Sequence, residues 1–406
     1  MSCPVFKKCG GCQYLDKPYK EQLALKQRSV KKLLSPWINP DPIIGMENPE
    51  HYRNKVHAVF DHGKKGEVFS GVYQEGTHKV LSIESCILED EKADEIIGTI
   101  RKLLPSFKIR TYDEDRGTGL FRHALIRVGK NSGQIMVVLV LADKVFPSKN
   151  NFVKALLKVH PEITTIVLNV NDKRTSMILG EQEQVLYGKG YIEDILCDMT
   201  FRISSKSFYQ INVEQTEKLY KRAVDMAYLT GKEKVIDAYC GIGTIGLVAS
   251  KNAGEVIGVE LNRDAVRDAV FNAKRNHAEN ITFYNKDAGE FMKELAAQGG
   301  KADVVMMDPP RTGASGAFLD ALLKLKPNRI VYISCNPETL ARDLKRLSCN
   351  GYVVKRAVPY DMFPFTEHVE TIALLQKINH NSKTNAYVNV GIDAKEYYAI
   401  KNADKE

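Results

Sequence analysis

Cys335 stands where a thiol can act as a nucleophile. Residues 329–334 have the composition of a buried strand, and Asn336 and Pro337 then begin a helix. Ligands of open α/β sheets bind at the carboxyl ends of the strands, so this thiol would face a ligand. We expect the N-terminus of the following helix to favour the thiolate over the thiol, whose ordinary pKa is about 8.5. The alternative role for Cys335 is core packing.

A glycine turn follows an earlier strand of the same region. Asp237 ends that strand, and Gly241 and Gly243 open a helix whose N–H groups are free to meet a ligand. Glu260 ends the next strand, where a carboxylate can hold ribose hydroxyls, and Asp287 ends the third, at the expected adenine edge. The D-x-x-x-G-x-G spacing resembles the S-adenosylmethionine turn of Rossmann-type methyltransferases. A nucleotide-binding Rossmann turn is the competing interpretation, and each carboxylate has the alternative role of a helix cap.

Asp308 ends the fourth strand of this pattern, in the motif MMDPPRTG, and two prolines stiffen the loop that follows. In methyltransferases that act on amino groups, such a loop continues with an aromatic residue that stacks on the base. Here Arg311 follows. This difference argues against methylation of an exocyclic amine.

A thiol beside a methyl donor suits methylation of a carbon that is a poor nucleophile. C5 of uracil becomes an enolate carbon, able to attack a methyl sulfonium, once a thiolate adds to C6. A base must then remove the surplus proton from C5 so that the thiol can leave. Glu370, at the start of the apolar run that we predict to be the last strand, is the candidate base, and Glu367 and His368 compete with it.

The chain divides by pattern into four segments. Residues 1–50 comprise a cysteine-rich knot and an amphipathic helix over 19–34, and residues 51–206 contain short alternating strands with one helix. Residues 207–378 alternate helices with strands, and residues 379–406 form a polar tail. These patterns predict a central antiparallel α+β domain followed by an α/β domain with a doubly wound, mostly parallel, Rossmann-like sheet.

The composition of the 406 residues, with a net charge of +8, is that of a soluble globular protein. We find no apolar run that would span a membrane and no signal peptide, so we expect a cytosolic protein with reduced thiols. The basic residues within 1–35 form either a face for a polyanion or a solvated helix surface. They are Lys7, Lys8, Lys17, Lys20, Lys26, Arg28, Lys31 and Lys32.

Eight cysteines in a reducing compartment indicate metal binding, catalysis or core packing rather than disulfides. Cys3, Cys9, Cys12 and Cys86 follow the pattern C-x5-C-x2-C…C. Four such thiolates can ligate a [4Fe–4S] cluster or a zinc ion, and the spacing alone does not choose between them.

Four motifs, DAYCGIGT, MDPPRTG, YISCNPETLARDL and FPFTEHVETIALL, resemble those of the RNA uracil-5-methyltransferases, and the resemblance covers about residues 3–377. It implies an enzyme dependent on S-adenosylmethionine, with Cys335 as nucleophile and Glu370 as base. In the motif SFYQIN it implies that Gln210 contacts cofactor and substrate and that Phe208 lies beside the target base. It also implies methyl-donor contacts by Tyr239, Glu260 and Asp308, and a structural or substrate-orienting role for Arg311. Core packing is the alternative for Phe208 and Tyr239.

In the ribosomal-RNA branch of this family, the cysteine spacing resembles an iron–sulfur site. The resemblance therefore implies a structural or RNA-contacting [4Fe–4S] cluster, with zinc as the alternative, and 23S rRNA as substrate, with tRNA as the rival. Many relatives carry an OB-like RNA-binding module before the cluster, and we expect a chain without it, which leaves the RNA target open. We expect a monomer without an obligate protein partner. Its central domain would bind RNA, with the target base flipped out. Phosphates would be held by basic residues near 7–32 and in the central domain, such as Arg53, Lys55, Arg122 and Arg127.

Two other classes of protein compete with this reading. A non-catalytic RNA-binding module would bind RNA without methyl transfer. A DNA cytosine-5 methyltransferase also uses a cysteine nucleophile, but there the cysteine usually follows a proline directly, whereas Cys335 precedes Asn336 and Pro337.

Overall fold

The computed structural model describes residues 3–175 and 177–378, so the predicted tail over 379–406 lies outside the described residues. These ranges form two seven-stranded sheets and a small hairpin. None of the helices in these ranges combines the length and the apolar composition that a membrane crossing needs.

The N-terminal part contains the short helix α1 (Phe6–Cys9) and the longer helix α2 (Tyr19–Leu34), which has the predicted bounds. The side chains that α2 buries recur every four residues, as expected for one face of a helix. Two of them, Val30 and Leu34, pack in the core on one face of the second sheet. Although α2 precedes the first sheet in the chain, it packs on the second.

The first sheet has the strand order β3-β2-β1-β4-β5-β6-β7. Its helices pack together on one face, over a core of aliphatic and aromatic residues. The elements are β1 (Lys55–His62), β2 (Val68–Tyr73), β3 (Val80–Ser82), α3 (Glu91–Ser106), β4 (Phe121–Val128), β5 (Ile135–Leu141), α4 (Lys149–Val159), β6 (Ile163–Val170) and β7 (Gln182–Tyr187).

The predicted antiparallel arrangement of this sheet is wrong at one pair, because β5 and β6 run parallel. Parallel neighbours need a crossover connection, and α4 supplies it. The sequence pattern does not predict this helix, because it is short and only Phe152, Val153 and Leu156 are buried.

A hairpin leads the chain out of the first sheet. Its strands are β8 (Tyr191–Leu196) and β9 (Met199–Ser204), and both residues of its turn, Cys197 and Asp198, have positive φ angles of 52° and 59°. Such angles are those of the type I′ turn that fits the twist of a hairpin.

The second sheet has the order β12-β11-β10-β13-β14-β16-β15. Its first five strands are parallel and β16 is antiparallel to both neighbours, which confirms the predicted Rossmann-like α/β fold. Strand order reverses beside β10, the place where such sheets bind ligands. The elements are α5 (Val213–Met226), β10 (Lys234–Ala238), α6 (Thr244–Ser250), β11 (Glu255–Glu260), α7 (Arg263–Arg275), β12 (Ile281–Asn285), α8 (Ala288–Ala297), β13 (Val304–Met307), α9 (Gly316–Leu325), β14 (Arg329–Ser334), α10 (Pro337–Ser348), β15 (Tyr352–Tyr360) and β16 (Glu370–Lys377).

Candidate active site

Cys335 and Glu370 meet at the carboxyl edge of the parallel strands. Strands β14 and β16 pair antiparallel in a register that ends with Ser334 opposite Thr371. Extending that register by one residue would place Cys335 across from Glu370, and the charge of Glu370 does raise the pKa of the Cys335 thiol, so the two side chains are neighbours. The thiol is half-buried and Glu370 is only 2% exposed. The structure thus brings the two predicted catalytic residues together, while the competing Glu367 lies exposed.

Burial raises the pKa values of the carboxyl groups at this edge. It raises the pKa of Glu370 well above its ordinary value, with Asp308 adding to the effect and Arg311 opposing it. Burial also raises the pKa of Asp308 to about 7. Carboxyl groups with such raised pKa values can accept or hold a proton near neutral pH.

The prediction of a favoured thiolate at Cys335 is wrong for this structure. Burial, followed by the charges of Glu370 and Asp308, raises the pKa of the thiol to about 11, although Arg311 lowers it. Two N–H groups at the N-terminus of α10 bond oxygens of their own turn and not the thiol. Glu338 N donates to Asn336 Oδ1 over 3.0 Å, and Asn336 N donates to Ser334 Oγ over 3.2 Å.

The glycine turn after β10 has the open backbone that a ligand needs. Gly241 has a φ angle of 55°, and the space where a Cβ would lie is empty. Glu260 accepts hydrogen bonds from Gly241 N at 3.0 Å and from Asn262 N at 2.8 Å, so it ties the turn to the end of β11. Asp237 is completely buried behind the turn and accepts a hydrogen bond from Gly246 N at 2.7 Å. Burial raises the pKa of Asp237 to about 8.

Tyr239 lies in the same turn in a left-handed conformation, with a φ angle of 66°. Non-glycine residues seldom adopt this conformation, and they cluster at functional sites when they do. The Tyr239 ring packs 5.1 Å from the Phe318 ring, between centroids. Burial raises the pKa of the Tyr239 hydroxyl, and the charge of Asp287 contributes, so these two side chains are neighbours. Asp287 is exposed and also caps α8 by accepting a hydrogen bond from Glu290 N at 3.0 Å.

The SFYQIN loop places Phe208 and Gln210 near this edge. Phe208 is 67% exposed, so core packing does not explain it. Gln210 lies beside the hydroxyl of Tyr220, whose pKa is raised by burial and by the nearby charge of Asp308. Gln210 and Asp308 are therefore both neighbours of Tyr220.

Two buried residues hold this loop: Arg127, which the sequence analysis assigns to RNA phosphates, and Asp268, which it does not single out. Arg127, on β4 of the first sheet, donates to Ser205 O at 3.1 Å and also to Ser207 O. Asp268, on α7 of the second sheet, accepts from Ser207 Oγ at 2.8 Å. Asp268 lies on the buried face of α7 with Ala269, Asn272 and Ala273, and a charged residue on a buried helix face is the signal that could have identified it.

Arg311 is exposed beside the candidate catalytic pair. Its backbone carbonyl accepts hydrogen bonds from Asn336 Nδ2 and Thr339 Oγ1, each over 3.3 Å, which fixes the DPPR loop against the start of α10. Its charge lowers the pKa values of both Cys335 and Glu370. Arg311 thus favours ionisation of both candidate catalytic groups.

The four N-terminal cysteines line one cavity of about 1500 Å³ beside the first sheet. All four thiols are free and half-buried. Burial, with Cys9 and Cys3 contributing, raises the pKa of Cys12 to about 11. A side chain at Gly11 would place its Cβ 3.3 Å from the Cys9 sulfur, so the glycine leaves room for that thiol.

A zinc ion about 2.3 Å from each ligand would need sulfurs about 4 Å apart. Within the part of the chain that the structure describes, no three His, Cys, Asp or Glu side chains are grouped to hold a metal ion. The four thiols thus line one cavity without the close grouping that a metal site would show.

Three basic residues predicted to face RNA are instead buried. Arg122 is 2% exposed and bonds Glu114 Oε1 and the carbonyl oxygens of Asn171 and Lys173. Arg127 is 3% exposed and holds the SFYQIN loop. Lys26 forms an ion pair with Asp361 at 2.5 Å in which both side chains are fully buried.

Arg53 and Lys55 differ from these three residues. Both are half-buried and line the cysteine cavity. Lys55 is the first residue of β1, and Arg53 lies two residues before it. Burial, with the charges of Arg127 and Arg53, lowers the pKa of Lys55 to about 8. A cationic side chain held against other cations favours an anionic ligand.

Comparison with known proteins agrees with this geometry. Residues 18–378 match the family model described as tRNA (Uracil-5-)-methyltransferase. A protein from Halalkalibacterium halodurans named as an uncharacterized RNA methyltransferase is 44% identical, over 93% of this chain and 83% of the relative. A Staphylococcus aureus protein of the same description is 42% identical, over 92% of this chain and 83% of the relative.

Among solved structures, the tRNA (uracil-54, C5)-methyltransferase of Pyrococcus abyssi in complex with S-adenosyl-L-homocysteine superposes with a TM-score of 0.76. It is 27% identical and covers 92% of this chain and 87% of its own. The fold of the present chain and these similarities therefore define an RNA methyltransferase that uses S-adenosylmethionine. This chain belongs to the tRNA (uracil-5-)-methyltransferase family.

Proposed function

We propose that this protein methylates C5 of a specific uridine in RNA, with 23S rRNA as the first substrate to test. The observation that supports this reaction best is the register of β14 and β16, which ends beside Cys335 and Glu370. A nucleophile and a base on neighbouring strands are what C5 methylation needs, and amine methylation needs neither arrangement.

In the proposed reaction, the Cys335 thiol releases its proton to water, the resulting thiolate adds to C6 of the uracil, and the electrons of the C5–C6 double bond move onto O4 to give an enolate. When bound, S-adenosylmethionine supplies the methyl group that C5 acquires. Glu370 then accepts the proton from C5, the double bond re-forms, and the bond between C6 and sulfur breaks. Arg311 favours both steps, because its charge stabilises the ionised forms of Cys335 and Glu370.

The methyl donor would lie along the carboxyl edge of β10, β11 and β13. Glu260 and Asp308 end two of these strands, and Tyr239 and Gly241 form the turn between them. Asp237 would support the turn from behind, since it is fully buried and bonds the backbone of α6. Gln210 and the exposed Asp287 complete the proposed set of donor contacts.

The exposed Phe208 would stack on the flipped target base, and Arg53 and Lys55 would meet phosphates. We propose that Cys3, Cys9, Cys12 and Cys86 hold a [4Fe–4S] cluster, with zinc as the alternative, in a structural or RNA-contacting role. These thiols are the reason to test 23S rRNA first. tRNA is the second candidate, because the P. abyssi enzyme with the similar fold acts on a tRNA uridine.

The test is to map 5-methyluridine at single sites in ribosomal and transfer RNA from cells with and without the gene. Complementation with the wild type and with Cys335→Ala separates catalysis from RNA binding. We expect a mark in 23S rRNA that disappears with the gene and returns only with the wild type. Loss of a tRNA mark instead would keep the reaction and change the substrate, and no change in either RNA would reject the proposal.

A further inference from the structure

The loop over residues 361–369, here called the 361–369 loop, leads directly into Glu370. Within it Phe365 has a φ angle of 66°, a left-handed conformation that is strained for a non-glycine residue. Such a conformation persists only where surrounding groups hold it. Further hydrogen bonds within the loop connect the residues around Phe365 to those before Glu370. His368 N donates to Thr366 Oγ1 at 3.2 Å, and Thr366 Oγ1 donates to Phe363 O at 2.8 Å.

The hydrogen-bond partners of the Phe365 backbone come from residues 13–22 in the N-terminal part of the chain. Phe365 N donates to Gln22 Oε1 at 2.9 Å, and Phe365 O accepts from Gln13 N at 3.0 Å and from Tyr14 N at 2.9 Å. The Phe365 side chain is 8% exposed and packs beside Tyr52, in a cluster that Cys12 and Cys86 also contact.

Gln22 has the geometry of a fixed support. It is completely buried on α2, and its Nε2 donates to Lys17 O at 2.9 Å while its Oε1 accepts from Phe365 N. One turn further along α2, Lys26 Nζ donates to Asp361 Oδ1 at 2.5 Å and to Phe363 O at 3.0 Å. Both polar side chains of the buried face of α2 therefore end on the 361–369 loop.

We propose that Gln22 is a positioning residue for the candidate base Glu370, acting through the backbone of Phe365, and that the cysteine-bearing segment 9–14 completes this support. The proposal rests on the proposed function for its kinetic consequence. Its structural part stands without it, since the supported amide of Phe365 can be measured in the absence of any substrate.

The experiment compares Gln22→Met, which keeps the length of the side chain and removes the acceptor, with Gln22→Glu, which keeps an acceptor oxygen. Gln27→Met is the matched control, because Gln27 lies on the same helix and bonds Ile43 N and Asp41 O rather than the loop. Amide hydrogen exchange of the substrate-free proteins is followed in peptides that contain residues 361–369.

We expect exchange at Phe365 to quicken by about fivefold or more in Gln22→Met, the factor for loss of one ordinary hydrogen bond. Gln22→Glu should retain more of the protection, and Gln27→Met should leave the loop unchanged. In methylation assays, Gln22→Met should lower kcat by up to about a hundredfold while KM for RNA stays unchanged, because the base and not the binding surface is displaced.

Unchanged exchange in Gln22→Met would overturn the proposal. Faster exchange with unchanged kcat would overturn the kinetic part of the proposal. An equal loss of kcat in Gln27→Met would also overturn it, because it would indicate a general effect on α2. If the wild-type protein transfers no methyl group to any RNA, the proposed function fails, and the exchange measurement alone decides whether Gln22 supports the loop.

Discussion

The two seven-stranded sheets differ in the surroundings of their buried charged residues. In the first sheet, Arg122 and Arg127 are buried. Arg122 donates to a carboxylate and to carbonyl oxygens, whereas Arg127 donates to two carbonyl oxygens and its Nε has no hydrogen-bond partner among the described residues. In the second, Asp308 and Glu370 lie at the carboxyl edge with raised pKa values beside a half-buried thiol. Buried guanidinium groups that bond protein oxygens support the fold, whereas carboxyl groups with raised pKa values gathered at one edge are typical of a ligand site.

The largest expected effect lies at the edge of the second sheet. Glu370→Gln should slow formation of 5-methyluridine by about 10²–10⁴-fold, because a neutral amide cannot accept the C5 proton. The same variant should accumulate a covalent complex with RNA, since addition precedes the lost step. Denaturing electrophoresis detects this complex, Cys335→Ala serves as the control that cannot form it, and a fully active Glu370→Gln would contradict the assignment of the base.

The first sheet should respond in stability instead. Arg127→Met leaves two buried carbonyl oxygens without a donor and should lower the free energy of unfolding by about 2–5 kcal/mol. Arg53→Met, a substitution of the same type beside the same sheet, should change it by less than about 1 kcal/mol, because Arg53 is half-buried at a cavity. Urea unfolding of both variants measures the difference, and equal destabilisation would break the contrast between the two arginines.

Arg53 should matter for RNA instead. Arg53→Met should weaken RNA binding by about tenfold at low salt and reduce the slope of log affinity against log salt by about 1, the effect of one lost phosphate contact. Binding titrations at several salt concentrations test this. An exposed lysine outside the cavity, Lys232, offers the control Lys232→Met, and an equal loss in that variant would reject a specific contact at Arg53.

The smallest effect concerns the thiol. Because Arg311 lowers the pKa of Cys335, Arg311→Gln should raise that pKa above about 11 and slow alkylation at any given alkaline pH. The rate is measured for the peptide that contains Cys335 by mass spectrometry as pH rises. Arg311→Lys retains the charge and should behave more like the wild type, whereas unchanged alkylation in Arg311→Gln would show that the guanidinium does not influence the thiol.

The second sheet is the part of the fold that the sequence predicts best. Glu260 ends β11, and Asp237 and Asp308 lie within one residue of the ends of β10 and β13, so the pattern indicates the edge of the sheet that carries the site. The register that brings Glu370 opposite Cys335 depends on an antiparallel last strand, which the apolar run alone does not specify.

The roles of individual charges were harder to predict. As basic residues, Lys26 and Arg127 are candidates for an RNA-binding surface. Only the tertiary structure shows that each is buried against a partner. The pKa of Cys335 likewise depends on Glu370 and Asp308, which are distant in sequence. Local patterns carry no information about such long-range neighbours.

The central claim is that Cys335 adds to the uracil and that proton removal from C5 releases it. RNA in which 5-fluorouridine replaces uridine tests this directly, because C5 then carries no proton for a base to remove and the adduct cannot resolve. With S-adenosylmethionine present, we predict a covalent protein–RNA complex whose methylated nucleotide maps to the peptide containing Cys335. Attachment at another residue, or efficient methylation of ordinary RNA without any adduct on the fluorinated one, would contradict this mechanism.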